Sequence, residues 1–202
     1  MSREFSCEAE AVKLLFCIKA LNNAGGGAER VLATVASGLV QRGHPVAVLT
    51  FDPPGGQPYY PLDRDIQRID LGLGATTEPS NVPLTLRRML LIRSSVRTYS
   101  PEAVVAFMHS MFIPLGMAVV GLRVPLIASE HTSYQHYADR RLQRFLLRLV
   151  PQLADLITCV SEQVRQTYPY FLRRRMIIVP NPVTMTVSAS SLNLGRGSCC
   201  CL

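Results

Sequence analysis

Short runs of apolar residues alternate along the chain with segments in which apolar residues recur every three or four positions. The continuous runs are typical of strands buried on both faces of a sheet, and the spaced segments predict amphipathic helices. The predicted strands are residues 14–18, 46–50, 66–71, 103–107, 125–129, 156–160 and 176–179. The predicted helices are residues 28–42, 84–99, 112–122, 140–153 and 162–168, the first ended by Gly43 and the last capped by Ser161.

This alternation predicts an α/β fold with a doubly wound, mostly parallel, Rossmann-like sheet, because parallel strands need right-handed crossover connections. In such sheets ligands bind beyond the carboxyl ends of the strands, where the strand order reverses. We therefore expect three loops to converge on one crevice. The residues expected to line it are Gly25, Gly26, Gly27, His109, Ser110, Glu130, His131 and Thr132.

The first of these loops is a run of three glycines between a predicted strand and a predicted helix. It would aim free N–H groups, at the positive end of a helix dipole, at a phosphate or sugar that no Cβ keeps away. The alternative is a tight connection whose glycines only satisfy positive φ. Arg30 stands where the dinucleotide fingerprint has its third glycine, and Lys13 and Lys19, the two lysines, lie outside any P-loop pattern. Nicotinamide-binding and P-loop functions are therefore disfavoured.

Charge and cysteine content narrow the choice of partners. The net charge is +7 and all but two of the 21 basic residues are arginines, which favours a partner that carries phosphate. The chain has no tryptophan and no helix-turn-helix signal, so we expect no nucleic-acid partner. No CxxC pair is present, which argues against zinc, and Cys17 and Cys159 fall in predicted buried strands. A reducing, cytoplasmic compartment fits this usage best.

Three segments raise questions of targeting and domain limits. Residues 1–11 are expected to be an N-terminal leader without a secretory signal, since Lys13 and Lys19 confine the apolar run between them. Residues 103–122 carry no formal charge, but Pro114 and the preceding polar pair divide them into a strand, a loop and a helix rather than a membrane span. Periodicity is lost over residues 184–202, which are expected to form a disordered tail; its last four residues leave prenylation as an alternative.

Several of these segments together resemble the amino-terminal domain of glycosyltransferase family 4, whose members are retaining enzymes of the GT-B architecture. The resemblance covers about residues 12–183, which we take as one domain. The segments that carry it, in order, are residues 26–32, 39–50, 104–109, 127–133, 154–161 and 178–183.

The resemblance implies that this domain holds a glycan or lipid-linked acceptor of cell-surface polysaccharide or glycolipid synthesis. His131 matches a histidine near the transferring sugar and is the expected catalytic residue. Gly26 and Gly27 match the loop that approaches the diphosphate or the acceptor, and His109 matches a polar site of the acceptor pocket. The nucleotide sugar would be a substrate, with no cofactor or metal. The second, donor-binding domain of the family would begin where this chain ends, so we expect the chain alone to be inactive and truncated.

Other interpretations stay open beside this one. His131 could cap a loop, form a triad with Ser129 and Glu130, or share a metal with His136, although neighbouring residues at a strand end point to opposite sides. The domain could also be a non-catalytic binding module.

Two predicted helices carry arginines that form either a solvated face over an ordinary core stripe or a peripheral contact with anionic lipid at the inner face of the plasma membrane. These arginines are Arg87, Arg88, Arg93, Arg97, Arg140, Arg141, Arg144 and Arg148.

Overall fold

In a computed structural model of the protein, which describes residues 10–22, 25–73 and 82–182, seven strands form one parallel sheet. The strands are β1 Leu14–Cys17, β2 Val46–Thr50, β3 Gln67–Asp70, β4 Ala103–Phe107, β5 Leu126–Glu130, β6 Leu156–Cys159 and β7 Met176–Ile178. The helices are α1 Gly27–Val40, α2 Val82–Tyr99, α3 His109–Ala118, α4 Arg141–Leu147, α5 Val150–Leu153, α6 Glu162–Thr167 and α7 Tyr170–Arg173, with a 3₁₀ helix at Tyr134–Tyr137. The predicted α/β, Rossmann-like fold is confirmed.

The strand order is β3-β2-β1-β4-β5-β6-β7, so the chain winds outward from the centre in both directions. The reversal lies between β1 and β4, which pair in parallel from Leu14 and Ala103 to Cys17 and Ala106. Every strand therefore ends at the same edge of the sheet. Right-handed crossovers on either side of the reversal place α1 on one face and the later helices on the other.

Alternate side chains of the strands enter two cores. We call the two sides of the sheet the α1 face and the α3 face. On the α1 face, Phe16, Val48 and Phe107 pack with Leu32 and Ala36 of α1. On the α3 face the buried residues from strands and helices include Leu15, Leu49, Ala106, Ala128, Ile92, Met111, Leu115 and Leu147.

Two helices differ from the predicted ones. α3 begins at His109 and ends at Ala118, with Pro114 in its interior, so the prediction of a polar loop between the strand at residues 103–107 and a helix at residues 112–122 is wrong. The predicted helix at residues 140–153 is divided into α4 and α5. Pro151 stands in the first turn of α5, where its missing N–H costs nothing, whereas it could not continue the hydrogen bonding of α4.

The ends of elements that depend on local chemistry agree with the sequence. Gly43 follows α1 with φ +87°, and the Ser161 hydroxyl accepts a hydrogen bond from the Val164 N–H at the start of α6. Cys17 and Cys159 are buried free thiols. Residues 1–9 and 183–202, where most of the expected leader and the whole expected tail fall, lie outside the described residues. Within the described ranges, no helix combines the length and the apolar character needed to cross a bilayer.

Candidate functional site

A row of rings crosses the carboxyl edge of the sheet on the α1 face. The Phe16 and Phe107 ring centroids are 6.1 Å apart, and the His131 ring stacks on Phe107 with 5.1 Å between centroids. His131 thus follows β5 on the same face as α1, whose N-cap is Gly26. The structure places the glycine-rich turn and His131 at one edge and on one face, with the end of β4 between them.

The three glycines of the turn have different surroundings. None has a positive φ, so the alternative that they only satisfy positive φ is wrong. A Cβ on Gly25 would come within 2.9 Å of the Tyr59 ring, and one on Gly26 would overlap the Glu29 carboxylate. A Cβ on Gly27 would meet nothing within 4 Å. A side chain at Gly25 or Gly26 would therefore collide with a neighbouring side chain, whereas Gly27, the first residue of α1, is open.

Asp52, just beyond β2, holds the segment that leads into this turn. It is 3% exposed, and its carboxylate accepts hydrogen bonds from the N–H groups of Leu21, at 2.6 Å, and Asn22, at 3.3 Å. The sequence analysis assigned no role to Asp52, which follows the predicted strand at residues 46–50. The signal available was its position as the first charged residue after a fully buried strand.

His131 is half-buried, and one nitrogen of its ring is within hydrogen-bond distance of a neighbouring hydroxyl. Its Nε2 lies 3.0 Å from the Ser129 hydroxyl, which in turn accepts a hydrogen bond from Thr158 at 3.2 Å. Burial lowers the pKa of His131 to about 4. The imidazole is therefore neutral at pH 7.

Glu130 is the last residue of β5 and is 1% exposed, on the α3 face. Its Oε1 accepts hydrogen bonds from the N–H groups of His131 and Thr132 and from the Thr132 hydroxyl, at 3.0, 3.1 and 2.8 Å. Its Oε2 accepts one from the Tyr137 hydroxyl at 2.8 Å. Burial raises the pKa of Glu130, while these donors act in the opposite direction. Glu130 and Thr132, both predicted to bind substrate, are hydrogen-bonded to each other and to Tyr137.

His109 extends this network from α3. The Tyr137 hydroxyl, which is fully buried, lies 2.8 Å from His109 Nδ1. His109 is 7% exposed, and burial lowers its pKa to about 4, with smaller contributions from the charges of His136, Arg140 and Lys19. It begins α3 immediately after Met108, whose φ of +67° makes the turn out of β4 abrupt. Ser110, in the first turn of the same helix, is half-buried.

The predicted site residues thus fall into two groups. Gly25, Gly26, Gly27 and His131 lie on the α1 face, whereas His109, Glu130 and Thr132 belong to the buried network around Tyr137 on the α3 face. Sequence reasoning missed Tyr137 because the segment around it has no apolar periodicity that would predict burial.

The two histidines predict a pH dependence of stability between pH 7 and pH 5. Their pKa values are about 4 in the fold, against 6.5 in the unfolded chain, so protons bind the unfolded chain more readily. The stability that this difference contributes is present above pH 6.5 and is lost as the pH falls toward 4. After allowance for solvent screening, we expect a loss of about 2 kcal/mol in urea unfolding at pH 5 relative to pH 7.

His109→Gln should remove about half of that pH dependence. The raised pKa of Glu130 acts in the opposite sense, since protonation of a buried carboxyl is favoured in the fold. An identical slope of unfolding free energy against pH in wild type and His109→Gln would contradict the assignment of a neutral, buried His109.

The chain is similar in sequence to a family of known proteins and to a characterised relative. The family model described as Glycosyltransferase Family 4 matches residues 25–186. A relative from Campylobacter jejuni is 26% identical over 172 residues, which are 85% of this chain and 46% of that protein. It is the GalNAc-alpha-(1->4)-GalNAc-alpha-(1->3)-diNAcBac-PP-undecaprenol alpha-1,4-N-acetyl-D-galactosaminyltransferase. The chain therefore spans about half the length of this relative.

Solved structures show the same fold over a similar span. Alr3699/HepE from Anabaena, in complex with UDP and glucose, superposes with a TM-score of 0.62 at 20% identity, over 85% of this chain and 45% of that one. UDP-N-acetylglucosamine 2-epimerase from Rickettsia bellii superposes with a TM-score of 0.59 at 10% identity, over 85% of this chain and 45% of that one. Because proteins of different activity share the fold, the fold by itself does not decide the reaction.

Proposed function

Since the chain belongs to glycosyltransferase family 4, we propose that its sheet is the acceptor-side half of a GT-B enzyme. The enzyme would transfer a sugar, with retention of configuration, from a nucleotide sugar to a glycan or lipid-linked acceptor. The observation that carries this proposal is the placement of the α1 N-terminus and the His131 imidazole on one face of the carboxyl edge. Backbone donors and a neutral ring would then face the same bound substrates.

In this proposal His131 acts as a hydrogen-bond donor rather than as a base. Because Thr158 donates to the Ser129 hydroxyl, the single proton of Ser129 is free to be donated to His131 Nε2. That arrangement leaves the proton of the neutral ring on Nδ1. A fixed N–H donor stabilises negative charge that develops on the sugar or the leaving diphosphate as their bond breaks.

The proposed substrates follow from the relatives. The Campylobacter relative acts on an acceptor linked to undecaprenol through PP, and the Anabaena structure holds UDP and glucose. We assign the acceptor to this chain and the nucleotide of the donor to a second domain. A chain of 202 residues should then bind acceptor and should not transfer sugar by itself.

A contact with anionic membrane at the cytoplasmic face is part of the proposal. Of the two alternatives for the predicted helix at residues 140–153, an ordinary core stripe does not describe three of its apolar residues. Leu142, Phe145 and the following Leu149 are 70%, 58% and 37% exposed. Leu142 and Phe145 lie three positions apart on one face of α4, and Leu149 follows the helix. Arg141 at the start of α4 and Arg148 at its end are exposed beside them. An exposed apolar stripe flanked by cations is typical of helices that lie on anionic lipid.

The test is to follow backbone NMR shifts of the 202-residue chain during titration with a lipid-linked oligosaccharide or with a nucleotide sugar. We expect the acceptor to bind saturably and to shift signals at Gly27 and His131, and His131→Ala to weaken that response. His136→Ala, at an exposed histidine, is the matched control. Tight binding of the nucleotide sugar without acceptor binding, or sugar transfer by this chain alone, would contradict the division between acceptor side and donor side.

A further inference from the structure

A groove of about 660 Å³ runs along the α1 face of β3, the outermost strand on one side of the sheet. Ile69 packs in the core of the α3 face, so its neighbours in β3, Arg68 and Asp70, point to the α1 face. The loop that follows β2 forms the opposite side of the groove. A volume of this size is typical of sites that hold a small ligand. The residues that line the groove include Gly56, Pro58, Tyr59, Arg64, Arg68 and Asp70.

Tyr59 joins this groove to the glycine-rich turn. Its side chain is 63% exposed, while its N–H donates to the Leu21 carbonyl at 2.8 Å. The ring lies against Gly25, at the place where a Cβ on that glycine would collide with it. Tyr60 meets the Tyr59 ring edge-on, with 5.0 Å between centroids, and donates its hydroxyl to the Gly25 carbonyl at 3.1 Å. The Tyr59 ring is therefore open to a ligand yet already held beside the turn, which reduces the entropy that binding would cost.

The polar groups of the groove are held by an ion pair at the carboxyl end of β3. Arg68 Nη2 lies 2.6 Å from Asp70 Oδ1, and the Thr50 hydroxyl donates to the same oxygen at 2.8 Å. Arg68 Nη2 also donates to Asn22 Oδ1 at 3.3 Å. Among the residues that the structure describes, every hydrogen bond to the Asp70 carboxylate goes to Oδ1. The second carboxylate oxygen is thus an acceptor that a ligand in the groove can use.

This combination of groups favours a saccharide. A neutral sugar ring carries hydroxyls, which need both donors and acceptors, and an apolar C–H face, which packs on an aromatic ring. The groove offers an exposed ring at Tyr59 together with a fixed carboxylate and a fixed guanidinium. It is a poor phosphate site, because the charge of Arg68 is already paired with that of Asp70 and phosphate is bound by unpaired cations.

We propose that this groove binds sugar units of the acceptor that lie beyond the unit that receives the transferred sugar. The inference rests on the proposed function and adds a subsite to it. Three strands, β2, β1 and β4, lie between β3 and β5, the strand that His131 follows. Neighbouring strands are about 4.8 Å apart, so the groove and His131 are separated by roughly 15–19 Å. A saccharide that occupies both places passes the N-terminus of α1 and contains several sugar rings, which makes the acceptor an oligosaccharide.

The experiment measures binding of the fluorescently labelled 202-residue chain to an array of bacterial surface oligosaccharides and their constituent monosaccharides. We expect the wild type to bind oligosaccharides more tightly than the monosaccharides. Tyr59→Ala should weaken oligosaccharide binding at least about tenfold through the loss of an aromatic contact, whereas Tyr59→Phe, which keeps the ring, should not. Tyr170→Ala is the matched control, because it removes a tyrosine ring that is 70% exposed on α7, and it should leave binding unchanged.

Asp70→Asn serves as the second variant, since it keeps the shape of the side chain and leaves Tyr59 in place. It should weaken oligosaccharide binding at least about fivefold. If Tyr59→Ala fails to fold in a thermal melt, Asp70→Asn decides the result. Wild-type binding by the folded variants, or equal binding of monosaccharides and oligosaccharides by the wild type, would overturn the proposal.

The same variants distinguish this subsite from the proposed function. If His131→Ala weakens oligosaccharide binding and Tyr59→Ala does not, the subsite is wrong and the acceptor-side assignment stands. A wild type that binds no glycan of the array would also overturn the subsite. In that case a saturable response of His131 to the lipid-linked oligosaccharide in the NMR titration would still support the glycosyltransferase proposal.

Discussion

Replacing Glu130 by alanine should lower the free energy of unfolding by about 3–5 kcal/mol. The carboxylate is 1% exposed and accepts hydrogen bonds from two backbone N–H groups and from the hydroxyls of Thr132 and Tyr137. Alanine removes the shared acceptor of all four donors, of which the Tyr137 hydroxyl is buried and the other three are partly buried. Urea unfolding at pH 7, followed by circular dichroism, measures the difference from the wild type.

Two variants define the scale of this effect. Asp139→Ala removes a carboxylate from the exposed segment just before α4 and should change stability by no more than about 0.5 kcal/mol. Glu130→Gln retains one oxygen acceptor and should cost about 1–2 kcal/mol. If Glu130→Ala and Asp139→Ala were equally stable, Glu130 would not hold the loop after β5. Because Glu130 accepts the His131 N–H, we also expect Glu130→Gln to weaken the acceptor response measured at His131.

Changing Leu142 and Phe145 together to glutamine should reduce binding to anionic vesicles at least about a hundredfold. Both side chains are more than half exposed, so the substitutions remove surface that a membrane would bury and disturb little of the core. Burial of each would contribute about 1.5–3 kcal/mol. Sedimentation with vesicles of phosphatidylglycerol and phosphatidylcholine at low salt measures the partition coefficient.

The controls separate the apolar contribution from the electrostatic one. Tyr170→Gln removes an aromatic ring that is 70% exposed on α7 and should leave vesicle binding unchanged. Arg141→Gln and Arg148→Gln should each cost about 1 kcal/mol, and this cost should shrink as salt is raised. Wild-type binding by the Leu142/Phe145 double variant would contradict membrane contact through α4. So would equal binding of the wild type to neutral and anionic vesicles.

The sequence by itself determined the elements whose signals are local. Residues 46–50 and 103–107 are strands as predicted, because short, continuously apolar runs between polar segments form strands buried on both faces. Gly43 ends α1 and Ser161 caps α6 through the chemistry of one residue each. The order of such elements was sufficient to predict the parallel, doubly wound sheet. The motifs along the chain were sufficient to predict the family.

Tertiary structure decided which predicted site residues face outward and which are engaged inside the domain. Hydrogen bonds between elements, such as the one between Tyr137 and His109, 28 positions apart, leave no periodic trace in the sequence. Helical spacing likewise shows where an apolar or basic stripe lies. It does not show whether a neighbouring element covers that stripe. Arg88 is therefore buried against Phe51 while Leu142 and Phe145 are exposed, since burial depends on what packs against a helix and not on the helix alone.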